Sequence, residues 1–164
     1  MFKEILKSKI NITDTLYLRF DINAFINAET SGIDIFNISE VVANPRQVIN
    51  LLKIGLADCL GSNAHLLSAT ANSVIKELGA DMLSLYLQTA ILDALPEPVI
   101  GGDNKAKKGD DISKIYSLFV DIMGRTEEEF LSLTLREVMK RWDNYAVFNG
   151  YKKPGIEIKT FDDD

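Results

Sequence analysis

One cysteine, Cys59, and one histidine, His65, are all the chain offers of the two residue types that most often build disulfides and zinc sites. An internal disulfide is excluded, and neither a histidine dyad nor a His-Cys zinc site can be assembled from one copy. Gly101-Gly102 is not followed by a Lys-Ser/Thr pair at a helix start, so it is no phosphate cradle and reads as a hinge. No apolar run approaches the roughly 20 residues of a membrane span. Lys3, Glu4, Lys7 and Lys9 interrupt the only apolar run at the start, so no signal peptide is expected there. Basic residues are the minority, 18 Lys and Arg against 24 Asp and Glu. The formal charge of −6 and a pI near 4.9 leave no basic surface for phosphates, so nucleic acid is not an expected partner.

What the chain has is apolar surface at helical spacing. Its 164 residues, 46% hydrophobic and 26% charged, suffice for one core, or for a core with a small satellite. The clearest element begins at Asn44-Pro45-Arg46-Gln47-Val48 and runs to Cys59-Leu60-Gly61. Asn44 supplies an N-cap, Pro45 fits the first helical position, Gln47 completes a capping-box pattern, and Gly61 offers the left-handed stop. Val48, Leu51, Leu52, Gly55, Leu56 and Cys59 share one face, widened by Ile49, Ile54 and Leu60. A helix this apolar must be covered on more than one side.

Around it, the patterning predicts a mainly α fold with a small N-terminal β-hairpin packed on a helical bundle. Phe2, Ile5 and Leu6 suggest a short helical lead-in over 2–8. Ile10 and Ile12, the turn chemistry of Thr13-Asp14, and Leu16, Leu18 and Phe20 alternating with Tyr17 and Arg19 read as the hairpin. Two strands are marginal alone, so the Leu16/Leu18/Phe20 face must lie on helices. Asp21 caps a short helix ending near Ser31-Gly32, and residues 33–43, without a clean period, read as a loop with one helical turn. Further helices are expected from Ser68 or Thr70 to Gly79 and from Leu83 to a stop at Pro96.

Pro, Gly and charge over 96–111 mark a flexible linker after a first unit at 1–95. A second helical unit, 112–150, carries Ile112, Ile115, Tyr116, Phe119, Ile122 and Met123 on one face up to Gly124. Thr126-Glu127-Glu128-Glu129 and Thr134-Leu135-Arg136-Glu137 are two capping boxes, hence two consecutive helices. Residues 151–164 read as a mobile tail.

The candidates for chemistry have plain alternatives. His65 follows a turn and reads as a surface or capping residue, and Cys59 as a small buried hydrophobe with nothing nearby in sequence to lower its pKa. Glu127, Glu128 and Glu129 stand in a first helical turn, where the macrodipole favours them without a metal. Asp162, Asp163 and Asp164 read as a solubilising end. No catalytic group, cofactor or metal site is expected. The Trp142 stripe has two readings. Phe130, Leu135, Val138, Met139, Trp142 and Tyr145 serve as core, or they anchor a partner, since a unit of this size has little volume for that many aromatics.

The order of these signals resembles the tail assembly chaperones of long-tailed bacteriophages and related gene transfer agents. The likeness rests on Leu16-Tyr17-Leu18-Arg19-Phe20-Asp21-Ile22-Asn23-Ala24, the Ser31-Gly32 stop and the helix from Asn44 to Leu56. In the second unit Gly124, Phe130, Thr134 and Glu137 match a recurring pattern, with Leu131 where that family usually has Trp. The resemblance implies a non-enzymatic cytoplasmic factor, expected to be homo-oligomeric, that binds the tape-measure protein and recruits tail-tube subunits; Phe130, Leu135, Val138, Met139, Trp142 and Tyr145 are the residues expected to meet that partner. It also implies a ribosomal slip or an ancestral fusion near Lys107-Lys108. A tail or connector adaptor retained in the virion, and a bacterial helical interaction module unrelated to phage, are the alternatives.

Overall fold

A computed structural model of the chain describes residues 8–96 and 110–151. The lead-in over 2–7, the linker residues 97–109 with Gly101-Gly102 and Lys107-Lys108, and the tail from 152 with Asp162, Asp163 and Asp164 lie outside the described residues. Among those described, the fold is mainly α: seven α-helices and one antiparallel hairpin packed on them.

Strands β1 (Ile10–Asn11) and β2 (Tyr17–Leu18) pair Ile10 with Leu18 and Asn11 with Tyr17. The Thr13 hydroxyl closes the turn by accepting from the Leu16 N–H at 3.0 Å. Leu18 and the following Phe20 are fully buried against helices, as the marginal stability of two strands requires. Helix α1 (Ile22–Thr30) starts where the Asp21 carboxylate accepts from the Ala24 N–H at 2.7 Å. The stretch expected as a loop holds a 3₁₀ turn, Ile35–Asn37, and helix α2 (Ile38–Val42). Two short pieces in succession give no single 3.6-residue period, so Ile33, Ile35 and Val41 are buried without an amphipathic signature in sequence.

Helix α3 (Pro45–Leu60) is central, with Asn44 capping Arg46 and Gln47 and with Val48, Leu51, Leu52, Gly55 and Leu56 buried. Helices α1 and α2, strand β2 and helix α4 all pack on it. Its closing Gly61 has φ 78° but an extended ψ of −172°, a conformation suited to glycine yet distinct from the expected left-handed stop. Helix α4 (Ala64–Ala94) begins earlier than the predicted Ser68 or Thr70, because the Asn63 side chain caps it by accepting from Leu66 N–H at 3.1 Å. Gly79, at φ 75° and ψ 169°, breaks α4 into limbs 64–78 and 80–94, matching the predicted stop there.

Helix α5 (Asp110–Ser117) continues into a π-turn, Leu118–Ile122, before Gly124. Helices α6 (Glu127–Leu131) and α7 (Leu135–Phe148) follow, each with its threonine cap. Thr134 and Glu137 form the full reciprocal box, whereas the Glu129 side chain instead pairs with Arg141. Helices α6 and α7 return to the first unit: Phe119, Phe130, Leu133, Leu135 and Val138 share one buried cluster with Leu18, Phe20, Leu51 and Leu87. The Ile22 N–H donates to Leu133 O at 2.8 Å. Arg136 donates to Leu95 O at 2.7 Å and Leu92 O at 2.9 Å, satisfying the carbonyls that end α4. The residues expected as two units thus share a single core.

Candidate functional site

Burial divides the six expected partner-binding residues. Phe130, Leu135 and Val138 are core, 2, 4 and 1% exposed, and are unavailable to a partner in this fold. For these three the core reading holds, because α6 and the first turns of α7 pack on the first unit, a surface that a reading of the second unit alone leaves open. Met139, Trp142 and Tyr145 are half-buried. Trp142 stacks on Tyr145 with ring centroids 5.9 Å apart, and Tyr145 lies 6.3 Å from the Tyr151 ring. The Tyr145 hydroxyl donates to Ile122 O at 3.2 Å, fixing this ladder on the π-turn. Around it Phe148 is 79% and Tyr151 68% exposed. The last turns of α7 therefore carry an aromatic surface beyond the core. The signal for Phe148 was the surplus of aromatics itself. Tyr116 and Phe119 are instead spent on Phe130, at centroid distances of 5.3 and 5.8 Å.

The densest polar cluster was not legible. Arg19 grips Glu137 with two parallel hydrogen bonds, Nη1 to Oε1 at 2.8 Å and Nη2 to Oε2 at 2.7 Å, with both residues buried. The same guanidinium donates to Ser8 O and Ser132 O, and the carboxylate accepts from the Ser8 and Thr134 N–H groups. Asp58 lies 3.8 Å from Arg19 Nε and accepts from the Tyr17 hydroxyl at 2.7 Å. Strand alternation places Arg19 opposite Leu18 and Phe20, yet it is 2% exposed, because α7 covers that side. The cluster ties the hairpin to α3 and α7. Both Nη atoms of Arg19 and both carboxylate oxygens of Glu137 are bonded within the fold, so the cluster reads as a clasp.

Burial, with the hydrogen bond to Asp58 added, pushes the Tyr17 hydroxyl from 10.0 up to about 12. A group whose folded pKa is raised contributes stability that is present below its unfolded pKa and lost as pH climbs through the folded one. Tyr17 is therefore expected to ionise in a late phase, near pH 12, of an ultraviolet tyrosinate titration. Its contribution to stability falls between pH 10.0 and about 12. In Asp58→Asn the late phase moves down; an unchanged titration would refute the contribution assigned to Asp58 and leave burial alone as the cause.

Other candidates are modest. Cys59 is half-buried, not core as expected: it sits in the last turn of α3, and its thiol donates to Thr15 O at 3.3 Å. His65 is exposed in the first turn of α4. A cleft of about 210 Å³ lies among Phe25, Ile33, Ile35, Phe36 and Ile112, edged by Glu29 and Asp34. Among the described residues no group of three His, Cys, Asp or Glu side chains is placed to hold a metal ion, and no helix is long and apolar enough to cross a membrane.

The fold and its exposed surfaces define a class, a mainly helical bundle bearing a small N-terminal hairpin. Compared with protein-family models, curated proteins and solved structures, the chain returns no match.

Proposed function

We propose that the chain is a non-enzymatic phage tail assembly chaperone that binds the tape-measure protein and recruits tail-tube subunits in the host cytoplasm. The observation that carries this reading is the aromatic end of α7. Phe148 and Tyr151 are exposed beside the Trp142–Tyr145 stack, a rigid apolar anchor suited to an amphipathic helix. The acidic net charge of −6 supports it, since such a protein stays dispersed while displaying apolar surface. The partner surface is Met139, Trp142, Tyr145, Phe148 and Tyr151, with Phe130, Leu135 and Val138 acting from the core as its support. The ordered resemblance of the sequence to tail assembly chaperones supplies the identity of the partner.

Co-purification with the products of adjacent genes tests this. The variant Trp142→Ala/Phe148→Ala is expected to keep the native circular dichroism spectrum and to lose about thirtyfold in affinity for the tape-measure protein, the scale of a hot-spot anchor. Undiminished binding by that variant would rule out this surface. Mass spectrometry of finished particles separates the roles: a chaperone is missing from them, whereas an adaptor is present in fixed ring stoichiometry.

A further inference from the structure

The cleft formed by α1, the 3₁₀ turn and α5 shares no residue with the α7 surface. Phe25, Ile33 and Ile35 line it from the core, 4, 3 and 4% exposed, while Phe36 is 53% exposed with its ring 6.0 Å from that of Phe25. Its volume of about 210 Å³ is below the roughly 300–1,000 Å³ of a small-molecule pocket and holds one bulky side chain. The rim carries charge of one sign, Glu29 and Asp34, and no described lining residue is basic. Glu29 sits in the last turn of α1, a turn without a basic residue, so its carboxylate adds to the negative end of the helix dipole. That placement opposes the helix that carries it, and among the described residues no ion pair offsets it.

We propose that this cleft seats one aromatic or branched apolar side chain from a basic segment of another protein, with a flanking Lys or Arg of that segment meeting Glu29 and Asp34 at the negative end of α1. Three observations choose this occupant. The volume fits a single side chain and not a free ligand of ordinary size. The acidic rim on a helix C-terminus complements a cation beside that side chain, and the Phe25–Phe36 ring pair gives an aromatic guest an edge or a face to pack on. The chain's own balance, 18 Lys and Arg against 24 Asp and Glu, makes a second copy a poor donor of a basic segment. One seated side chain with exposed, salt-screened ion pairs at its rim makes a weak contact, one that adds to a larger interface or forms transiently. The site does not depend on the α7 partner, so either reading can fail alone.

Amide chemical shifts of the nitrogen-15-labelled full chain, titrated with capped pentapeptides, are the test. Gly-Lys-Phe-Lys-Gly is expected to move the signals of residues 29–36 and Ile112 with a dissociation constant on the millimolar scale. Gly-Glu-Phe-Glu-Gly and Gly-Lys-Ser-Lys-Gly, which lack the cations or the ring, should leave those signals in place. Glu29→Lys is expected to weaken binding about fivefold, since it turns an exposed attraction into a repulsion. The same change suits the end of α1, so folding stability should hold or rise while binding falls, a split that a merely structural Glu29 would not give. Phe36→Ala, at an exposed position, should weaken binding at least as much. Still signals at residues 29–36 with millimolar Gly-Lys-Phe-Lys-Gly, equal movement by either control peptide, or binding indifferent to Glu29→Lys would each overturn the proposal. So would equally tight binding of phenethylamine, which would make the occupant a free amine, or movement of the same signals with protein concentration alone, which would assign the cleft to a second copy.

Discussion

Glu137→Ala is expected to lower folding stability by about 3–5 kcal/mol, the cost of leaving one member of a buried ion pair without its partner. Arg19 is 2% exposed and Glu137 3%, so water cannot replace the lost contact. The substitution leaves the Arg19 guanidinium with the Ser8 and Ser132 carbonyls and the more distant Asp58 carboxylate, 3.8 Å from Nε, and frees the N–H groups of Ser8 and Thr134. Arg19→Met should cost a similar amount by stranding the carboxylate. The double variant Arg19→Met/Glu137→Leu removes both charges and should recover most of the loss, since a buried pair is worth little more than apolar packing of equal volume. Urea unfolding midpoints of the wild type, Arg19→Met, Glu137→Leu and the double variant measure the cycle, and additive losses in the double variant would show that the pair is not coupled.

The same pair sets the acid limb of stability. Burial alone would raise the Glu137 carboxyl, but the Arg19 hydrogen bonds and the Thr134 and Ser8 N–H groups outweigh it and hold the pKa below 4.5. A carboxyl depressed in the folded state contributes stability that is whole above its unfolded pKa and lost as pH falls through the folded one. Stability should therefore begin to drop below about pH 4.5, and that component should be missing from Arg19→Met/Glu137→Leu.

Local rules carried the helix starts and stops, because Asn44, Asp21, Thr126 and Thr134 each bond to a backbone N–H two or three residues away. The break at Gly79 was legible for the same reason. Asn63 carried an equally local signal, missed because the apolar period of that limb strengthens only later. Arg19 and Glu137 are different: they stand 118 positions apart, each looks solvent-facing within its own element, and only the docking of α7 beside β2 brings them together. Of the two readings open for the set, core or partner anchor, the packing of α6 and α7 on the first unit makes Phe130, Leu135 and Val138 core. Pattern reading sees one element at a time, so it found the aromatic surplus near Trp142 without distinguishing the turns of α7 that pack from those that project.

Gly55 gives a second large effect, and its sign separates helix propensity from packing. In the middle of a helix, Gly→Ala ordinarily stabilises by about 1 kcal/mol. Here a Cβ would fall 2.7 Å from Phe20 Cζ, 3.0 Å from Phe20 Cε2 and 3.1 Å from Leu18 Cδ2. Both neighbours are fully buried, so neither can swing into solvent. The chain after β2 is also tied to this point, because the Arg19 N–H donates to Gly55 O at 3.0 Å, and any outward shift pulls on the Arg19 clasp. Overpacking of about 1–3 kcal/mol should therefore outweigh the propensity gain in Gly55→Ala, and the larger, β-branched Gly55→Val should lose at least about 3 kcal/mol. Phe20→Leu removes the ring atoms that clash. On that background Gly55→Ala should turn neutral or stabilising, by up to about 1 kcal/mol. Thermal and urea unfolding of the four proteins read the reversal directly. A stabilising Gly55→Ala in the otherwise native sequence would mean that the hairpin yields easily, and that its close seat on α3 is not what holds Phe20 in the core.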